Sequence, residues 1–113
     1  MPKDAWYWQT RSYTERTYQP RAIIDIATLT GAVYIALGNQ RAGLMANNDE
    51  LANALFKSGE NTFERLWRLP LDEEYFEQIR GSDSDIKNSG GRPAGAIIGG
   101  MFLKQFVTDE TPW

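Results

Sequence analysis

The chain contains no cysteine and no histidine among its 113 residues. The missing cysteine excludes disulfides and sites in which thiolates hold zinc or an iron–sulfur cluster. The missing histidine removes the commonest metal ligand and the commonest general base of enzymes. Any chemistry that these residues perform unaided must therefore use carboxylates, lysine, tyrosine, serine or threonine.

A strong net charge and a long apolar run are missing too. Twelve basic and 15 acidic side chains leave a formal charge of −3, so the composition does not indicate a nucleic-acid or anionic-membrane partner. No apolar run approaches the roughly 20 residues that cross a bilayer. Met1 is followed by proline, lysine and aspartate rather than by the apolar core of a signal peptide. We therefore expect a soluble, cytoplasmic protein.

Short apolar runs alternate along the chain with segments of helical pattern. Strands are predicted at residues 22–27 (AIIDIA), 41–46 (RAGLMA) and 66–69 (LWRL). Helices are predicted at residues 31–37, 50–58, 73–79 and 94–106, and a polar loop at residues 82–93. Such alternation predicts an α/β fold with a largely parallel sheet.

Caps and glycines set the predicted helix ends. Gly38 is expected to end the first helix and Gly59 the second. Residues 47–49 (NND) supply the N-cap of the second helix, and Asp72 that of the third. Gly95 and Gly99 form a G-x-x-x-G pattern, which we interpret as close packing of the last helix on the sheet.

Residues 27–32 (ATLTGA) lie where the first predicted strand ends and a helix begins. Ligands bind at the carboxyl ends of strands in open α/β sheets. Thr28 and Thr30 offer hydroxyls or carbonyls there, and Gly31 allows close backbone approach. The pattern leaves two interpretations open, a ligand-contacting turn or a plain strand-to-helix cap, and it supplies no catalytic group.

The polar loop at residues 82–93 carries two weaker signals. Asp83 and Asp85 are of the type that binds a hard cation, and residues 88–92 (NSGGR) are of the type that cradles an anion. Neither has a complete ligand set or a phosphate-binding spacing. We interpret the segment as a solvated loop that leads into the last helix.

Three stretches of the sequence resemble the leucyl (cytosol) aminopeptidase family. They are RAIIDIATLTGAVYIALGNQRAGLMANNDELANAL, WRLPLDEEYFEQIRGSDSDIKNSGGRPAGAIIGGMFLKQF and the ending TPW. The resemblance covers residues 13–113 and implies a partial three-layer α/β/α catalytic domain with a largely parallel sheet, truncated at both ends. The family continues beyond the position of Trp113 into another core strand, so the resemblance implies apolar edges that self-associate.

Members of this family remove N-terminal residues from peptides with two divalent metals such as zinc or manganese, and they assemble as hexamers. The metals activate a water and stabilise the charge that develops on the carbonyl. The resemblance thus implies peptide N-termini as substrates and a homo-oligomer. Thr28, Leu29 and Gly31 match the turn that contacts the substrate, and Ala94 falls near the side-chain pocket.

The family's metal-binding signature, N-T-D-A-E-G-R-L, is missing from the chain. It belongs immediately before residue 13, and the family's other ligands and catalytic lysine lie further upstream. We therefore expect no catalytic residue, no metal ligand and no metal cofactor in this chain, and no activity of the chain alone. Two alternatives stay open: a non-catalytic peptide-binding or assembly module that keeps the turn at residues 28–31, and a decayed gene product.

Residues 1–12 are interpreted as that signature translated in the wrong frame, ahead of a partial catalytic domain at residues 13–113. One coding of D-A-E-G-R-L-V-L-A-D-A-L, read with its first base dropped, translates as MPKDAWYWQTR, the sequence of residues 1–11. Sequencing the gene tests this interpretation. The frame that starts one base upstream of the Met1 codon should spell D-A-E-G-R-L, and an unrelated reading there would contradict it.

Overall fold

A computed structural model describes residues 17–80 and 93–113 of the chain. The interpretations given to residues 1–12 and to most of the loop at 82–93 lie outside these residues. In chain order the elements are α1 (Gly31–Leu37), β1 (Ala42–Leu44), α2 (Asp49–Thr62), β2 (Leu66–Arg68), a 3₁₀ helix (Glu73–Gln78) and α3 (Gly95–Lys104). Within the described ranges no helix is long and apolar enough to cross a membrane.

β1 and β2 form a parallel pair that α2 connects. Ala42 lies opposite Leu66, and Leu44 lies opposite Arg68. Parallel neighbours need a crossover of a dozen or so residues, which α2 and its flanking turns supply. The α/β class and the parallel pairing of the second and third predicted strands are confirmed.

One face of this sheet is covered by α1 and α3. A Cβ atom added to Gly43 would lie 2.9 Å from the side chain of Val33 in α1. A Cβ atom on Gly100 of α3 would meet the side chain of Met45. Gly43 and Met45 are two residues apart, so their Cα–Cβ directions point to the same face of the extended chain.

The opposite face is covered by α2. Ala52 of α2 is almost fully buried and packs with Leu44 and Ala46 in a small core. These two residues alternate with Gly43 and Met45, as opposite faces of a strand require. Helices on both faces of a sheet give the three-layer α/β/α arrangement.

A larger core lies between α3, the 3₁₀ helix and the C-terminal residues. Ile79 and Met101 are fully buried at its centre. Its buried members are Ile79, Ile98, Met101, Phe102, Leu103 and Trp113. This core holds α3 in position. The segments that pack on the other side of α3 are therefore positioned by it as well.

The strand predicted at residues 22–27 is wrong. Residues 22–30 have no regular secondary structure, and the side chain of Ile26 is 94% exposed. The Ile23 N–H donates to the Pro112 carbonyl at 2.8 Å, but the pairing does not continue as a ladder. An apolar run becomes a strand only when a neighbouring backbone pairs along its length.

The first predicted helix ends at its predicted glycine, whereas the second continues past its predicted glycine. Gly38 follows α1 with a φ of 61°. The Asn48 side chain caps α2 as predicted, accepting from the Leu51 N–H at 2.9 Å. However, α2 continues past Gly59 to Thr62, and Phe63 is the left-handed residue that follows it. The predicted end at Gly59 is therefore wrong.

The third predicted helix is a short 3₁₀ helix, and the Asp72 side chain makes no capping hydrogen bond. The Ile79 N–H donates to the Phe76 carbonyl, three residues back, which is the tighter 3₁₀ spacing. Tyr75 and Phe76 of this helix pack against the larger core, of which Ile79 is a buried member. The last helix is shorter than predicted, because Ala94 is left-handed with a φ of 53° and Gln105 already lies outside α3.

Replacing Gly59 by alanine tests why this glycine lies inside a helix. A Cβ atom at Gly59 would lie 2.7 Å from the Glu64 carbonyl oxygen, where the chain turns back toward β2. We expect Gly59→Ala to lower the free energy of unfolding by about 1 kcal/mol, because overpacking outweighs the gain in helix propensity. Urea unfolding measures the change.

Gly31→Ala is the matched control, because a Cβ atom at Gly31 meets nothing within 4 Å. We expect this control to leave the urea midpoint unchanged or to raise it. A stabilising Gly59→Ala would contradict the close approach of Glu64 to the helix.

Candidate functional site

The predicted substrate turn leads directly into α1. Thr30 is the N-cap of α1, and its Oγ1 accepts from the Val33 N–H at 3.4 Å. This bond engages the Thr30 hydroxyl within the protein. Thr28 and Gly31 on either side are exposed. The cap interpretation therefore describes Thr30, and the exposed neighbours are the groups accessible to a ligand.

Two glycines of α3 hold this turn in place. A Cβ atom on Gly99 would lie 2.9 Å from Thr30 Cγ2 and 3.0 Å from Leu29 Cδ2. A Cβ atom on Gly95 would lie 3.2 Å from the Ala32 Cβ. The G-x-x-x-G pattern does mark a close approach, but the partner of Gly95 and Gly99 is α1 and the turn before it rather than the sheet.

Ala94 lies immediately before α3 in the left-handed conformation. Its side chain is half-buried and packs against the larger core. Because Gly95 contacts Ala32, the start of α3 lies beside the start of α1. The structure thus brings Ala94 and Gly31 to the same end of these two helices, although their roles toward a substrate stay predictions.

A cavity of about 210 Å³ lies beside the turn, and we call it the slot. Asp25, Leu29, Gly43 and Met45 are among the residues that line it. Residues of α1 and α3 and the ring-bearing residue Trp113 also line it. Of the four predicted contact residues, Leu29 lines the slot, whereas Thr28, Gly31 and Ala94 lie outside it.

Arg41 lies at the slot but is engaged elsewhere. Its Nη1 donates to Glu60 Oε1 at 2.6 Å and to the Leu66 carbonyl at 2.9 Å. Its guanidinium also lies 5.7 Å from the centre of the Trp67 ring. These contacts neutralise the charge and tie β1 to α2 and β2, so Arg41 has a structural role.

The described residues do not fit a two-metal centre. Within residues 17–80 and 93–113, no group of three or more aspartates or glutamates is placed to hold a metal ion. Zinc and manganese sites without histidine or cysteine need several oxygen ligands that converge on one point. A complete ligand set for either metal is therefore not found within the described ranges.

Two features of this site were not predicted from the sequence. The first is the contact of Gly99 in α3 with the turn at Leu29 and Thr30. The G-x-x-x-G spacing indicated a close contact at Gly99, but it did not indicate which segment makes it. Trp113 and Asp25 line the slot. Nothing in the local sequence indicates that these two residues, far apart in the chain, lie at one cavity.

Comparison with known proteins gives a family and close structural neighbours. Residues 10–113 match the model of the cytosol aminopeptidase family, catalytic domain. The probable cytosol aminopeptidase of Syntrophobacter fumaroxidans is 56% identical over 96 residues, which are 85% of this chain and 19% of that protein.

Two solved structures agree with this match. A tomato leucine aminopeptidase mutant superposes with a TM-score of 0.87 at 39% identity, covering 94% of this chain and 21% of that chain. A cytosol aminopeptidase from Coxiella burnetii gives 0.82 at 42% identity, covering 93% and 23%. The chain spans about one fifth of the length of the curated relatives that it matches.

Removing the Thr30 hydroxyl tests whether this group serves as the N-cap of α1. We expect Thr30→Ala to lower the free energy of unfolding by about 0.5–1 kcal/mol, because α1 loses its N-cap. The matched variant Thr30→Ser keeps the oxygen and should unfold at nearly the wild-type urea concentration. Equal stability of the alanine and serine variants would show that the hydroxyl does not serve as the cap.

Proposed function

Because the chain belongs to the cytosol aminopeptidase family, we propose that it takes part in removing N-terminal amino acids from peptides and contributes substrate contacts to that reaction. The match over residues 10–113 carries this proposal. The close packing of the turn on Gly99 also supports it, because a turn that contacts substrate needs a rigid support.

In this proposal Thr28, Leu29 and Gly31 contact the peptide. Thr28 and Gly31 are exposed, so their backbone groups are open to hydrogen bonding. The Leu29 side chain is 36% exposed and offers an apolar contact. Ala94, left-handed before α3, lies at the same end of the helices and borders the pocket for the substrate side chain.

We propose further that the chain alone is inactive. The two metals of the reaction, zinc or manganese, would activate the attacking water and polarise the carbonyl. No cluster of acidic side chains in the described ranges is placed to hold them. The homo-oligomer and the cytoplasmic location are likewise proposed from the family, whose relatives are named cytosol aminopeptidases.

An NMR titration and an activity assay on the purified chain test this proposal together. Adding the tripeptide Leu-Gly-Gly should shift the backbone amide signals of Thr28, Leu29 and Gly31, because a peptide bound at the turn changes their surroundings. Leu29→Ala should weaken the shifts. Ile35→Ala should not, because Ile35 is 86% exposed on α1.

The second measurement is hydrolysis of leucine p-nitroanilide with added manganese or zinc. We expect no release of nitroaniline above the buffer rate, with a full-length cytosol aminopeptidase as the positive control. Turnover that copurifies with the chain and stops on chelation would disprove inactivity. Amide shifts that avoid the turn would disprove the substrate contacts.

A further inference from the structure

Phe63 has a backbone conformation that suits glycine better than phenylalanine. It follows α2 with a φ of 65° and a ψ of 14°, which is the left-handed region. A side chain crowds the backbone in this region, and helices commonly end on glycine there. The Phe63 side chain is also 76% exposed, so burial of the ring does little to offset the strain. The end of α2 does not account for a phenylalanine, and strain of this kind is a sign of function.

The Phe63 ring contacts the guanidinium of Arg65. The Arg65 Cζ lies 4.4 Å from the centre of the ring, within the range of a cation–π interaction. The backbone of Arg65 is held by the sheet, because its carbonyl accepts from the Ala42 N–H at 3.0 Å. The ring therefore lies against a guanidinium whose backbone is fixed.

The guanidinium of Arg65 has no anionic partner among the described residues. The ion pairs within these ranges join Arg41 to Glu60, Arg68 to Asp49, Arg80 to Glu77 and Lys104 to Glu73. The Arg65 Nε is buried and has no hydrogen-bond partner in the same parts of the chain. A buried donor without an acceptor is destabilising. Arg65 as a whole is only half-buried, so an acceptor that reaches its side chain would remove this defect.

Trp67 extends the same surface. Leu66 packs on the small core beside α2, and Arg68 pairs with an aspartate of α2. Arg65 and Trp67 alternate with these two residues, so their side chains lie on the opposite side of the extended chain. The Trp67 side chain is 52% exposed. We call Phe63, Arg65 and Trp67 together the aromatic–arginine patch.

The patch lies at the start of the sheet. Arg65 pairs with Ala42, the first residue of β1, whereas Trp113 pairs with Asn47 beyond the end of β1. Aromatic residues and arginine are enriched among the residues that dominate the energetics of protein interfaces. Two exposed rings beside an unpaired guanidinium are complementary to a carboxylate with an apolar side chain next to it.

We propose that the aromatic–arginine patch is a docking site for an acidic segment of another protein. A glutamate or aspartate carboxylate of that segment binds Arg65, and a neighbouring apolar side chain packs on Phe63 and Trp67. Carboxylates bind a guanidinium through paired, charge-assisted hydrogen bonds. The site shares no residue with the turn at residues 28–31, so it is separate from the proposed substrate contacts.

Fluorescence anisotropy with a labelled peptide tests the site. The probe is acetyl-Gly-Glu-Leu-Glu-Tyr-Glu-Gly-Lys-amide with fluorescein on the lysine, and the control peptide has glutamine in place of each glutamate. We expect saturable binding of the probe and at least about tenfold weaker binding of the control peptide, because the carboxylates are lost. The chain has a formal charge of −3, so a preference for the acidic peptide requires a local cation. Equal binding of the two peptides, or no saturable binding of the probe, would overturn the proposal.

Backbone amide signals in NMR spectra locate the bound probe. Those of residues 63–67 should shift, whereas those of residues 28–31 should not, because the acetylated peptide has no free N-terminus for the proposed substrate turn. Shifts confined to residues 28–31 would overturn the docking site.

Arg65→Gln removes the cation and should weaken binding of the probe about tenfold or more. Arg80→Gln is the matched control, because Arg80 is a 66% exposed arginine outside the patch, and this variant should bind as the wild type does. Circular dichroism confirms that both variants are folded. Unchanged binding by a folded Arg65→Gln variant would contradict the site.

Phe63→Gly separates binding from folding. We expect this variant to unfold at a higher urea concentration than the wild type, because glycine adopts the left-handed conformation without strain. The same variant should bind the probe more weakly, because the ring is lost. A purely structural role of Phe63 would not move stability and binding in opposite directions. Wild-type binding by Phe63→Gly, or a lower urea midpoint, would overturn the role proposed for the ring.

Discussion

Asn47 holds the C-terminal residues against the end of β1 through three hydrogen bonds. Its backbone N–H donates to the Trp113 carbonyl, its Nδ2 donates to the Thr111 carbonyl at 3.0 Å, and its Oδ1 accepts from the Trp113 N–H at 2.7 Å. This contact places the Trp113 ring in the larger core, where it is 8% exposed. One asparagine therefore connects the sheet to the core built on α3.

The position of the candidate turn depends on α3 rather than on a strand ladder. Gly95 and Gly99 let α3 approach α1 and the turn before it, while Gly100 meets Met45 near the sheet. The adjacent residues Gly99 and Gly100 thus set the distance of α3 from the turn before α1 and from the sheet, respectively. Since α3 is itself fixed by the larger core, the packing of that core determines where the turn lies.

The proposed substrate contacts and the proposed metal chemistry place different demands on the described residues. The proposed substrate contacts need exposed backbone on a rigid support, and the turn at residues 28–31 packs closely on Gly99 of α3. Metal chemistry needs several converging carboxylates, which the described ranges do not bring together.

The sequence by itself determined the local features whose signals lie within a few residues: α1, with Gly38 after it, and the start of α2 at Asn48. The family was also identifiable from long matching stretches. Only the tertiary structure determined that residues 22–30 form no strand, because a strand depends on a partner that is distant in the chain. The same holds for Gly59, whose close neighbour is the carbonyl of Glu64, and for the slot, which is lined by residues as far apart in the chain as Asp25 and Trp113. Caps act over three or four residues, whereas pairing and close packing depend on which distant segments meet.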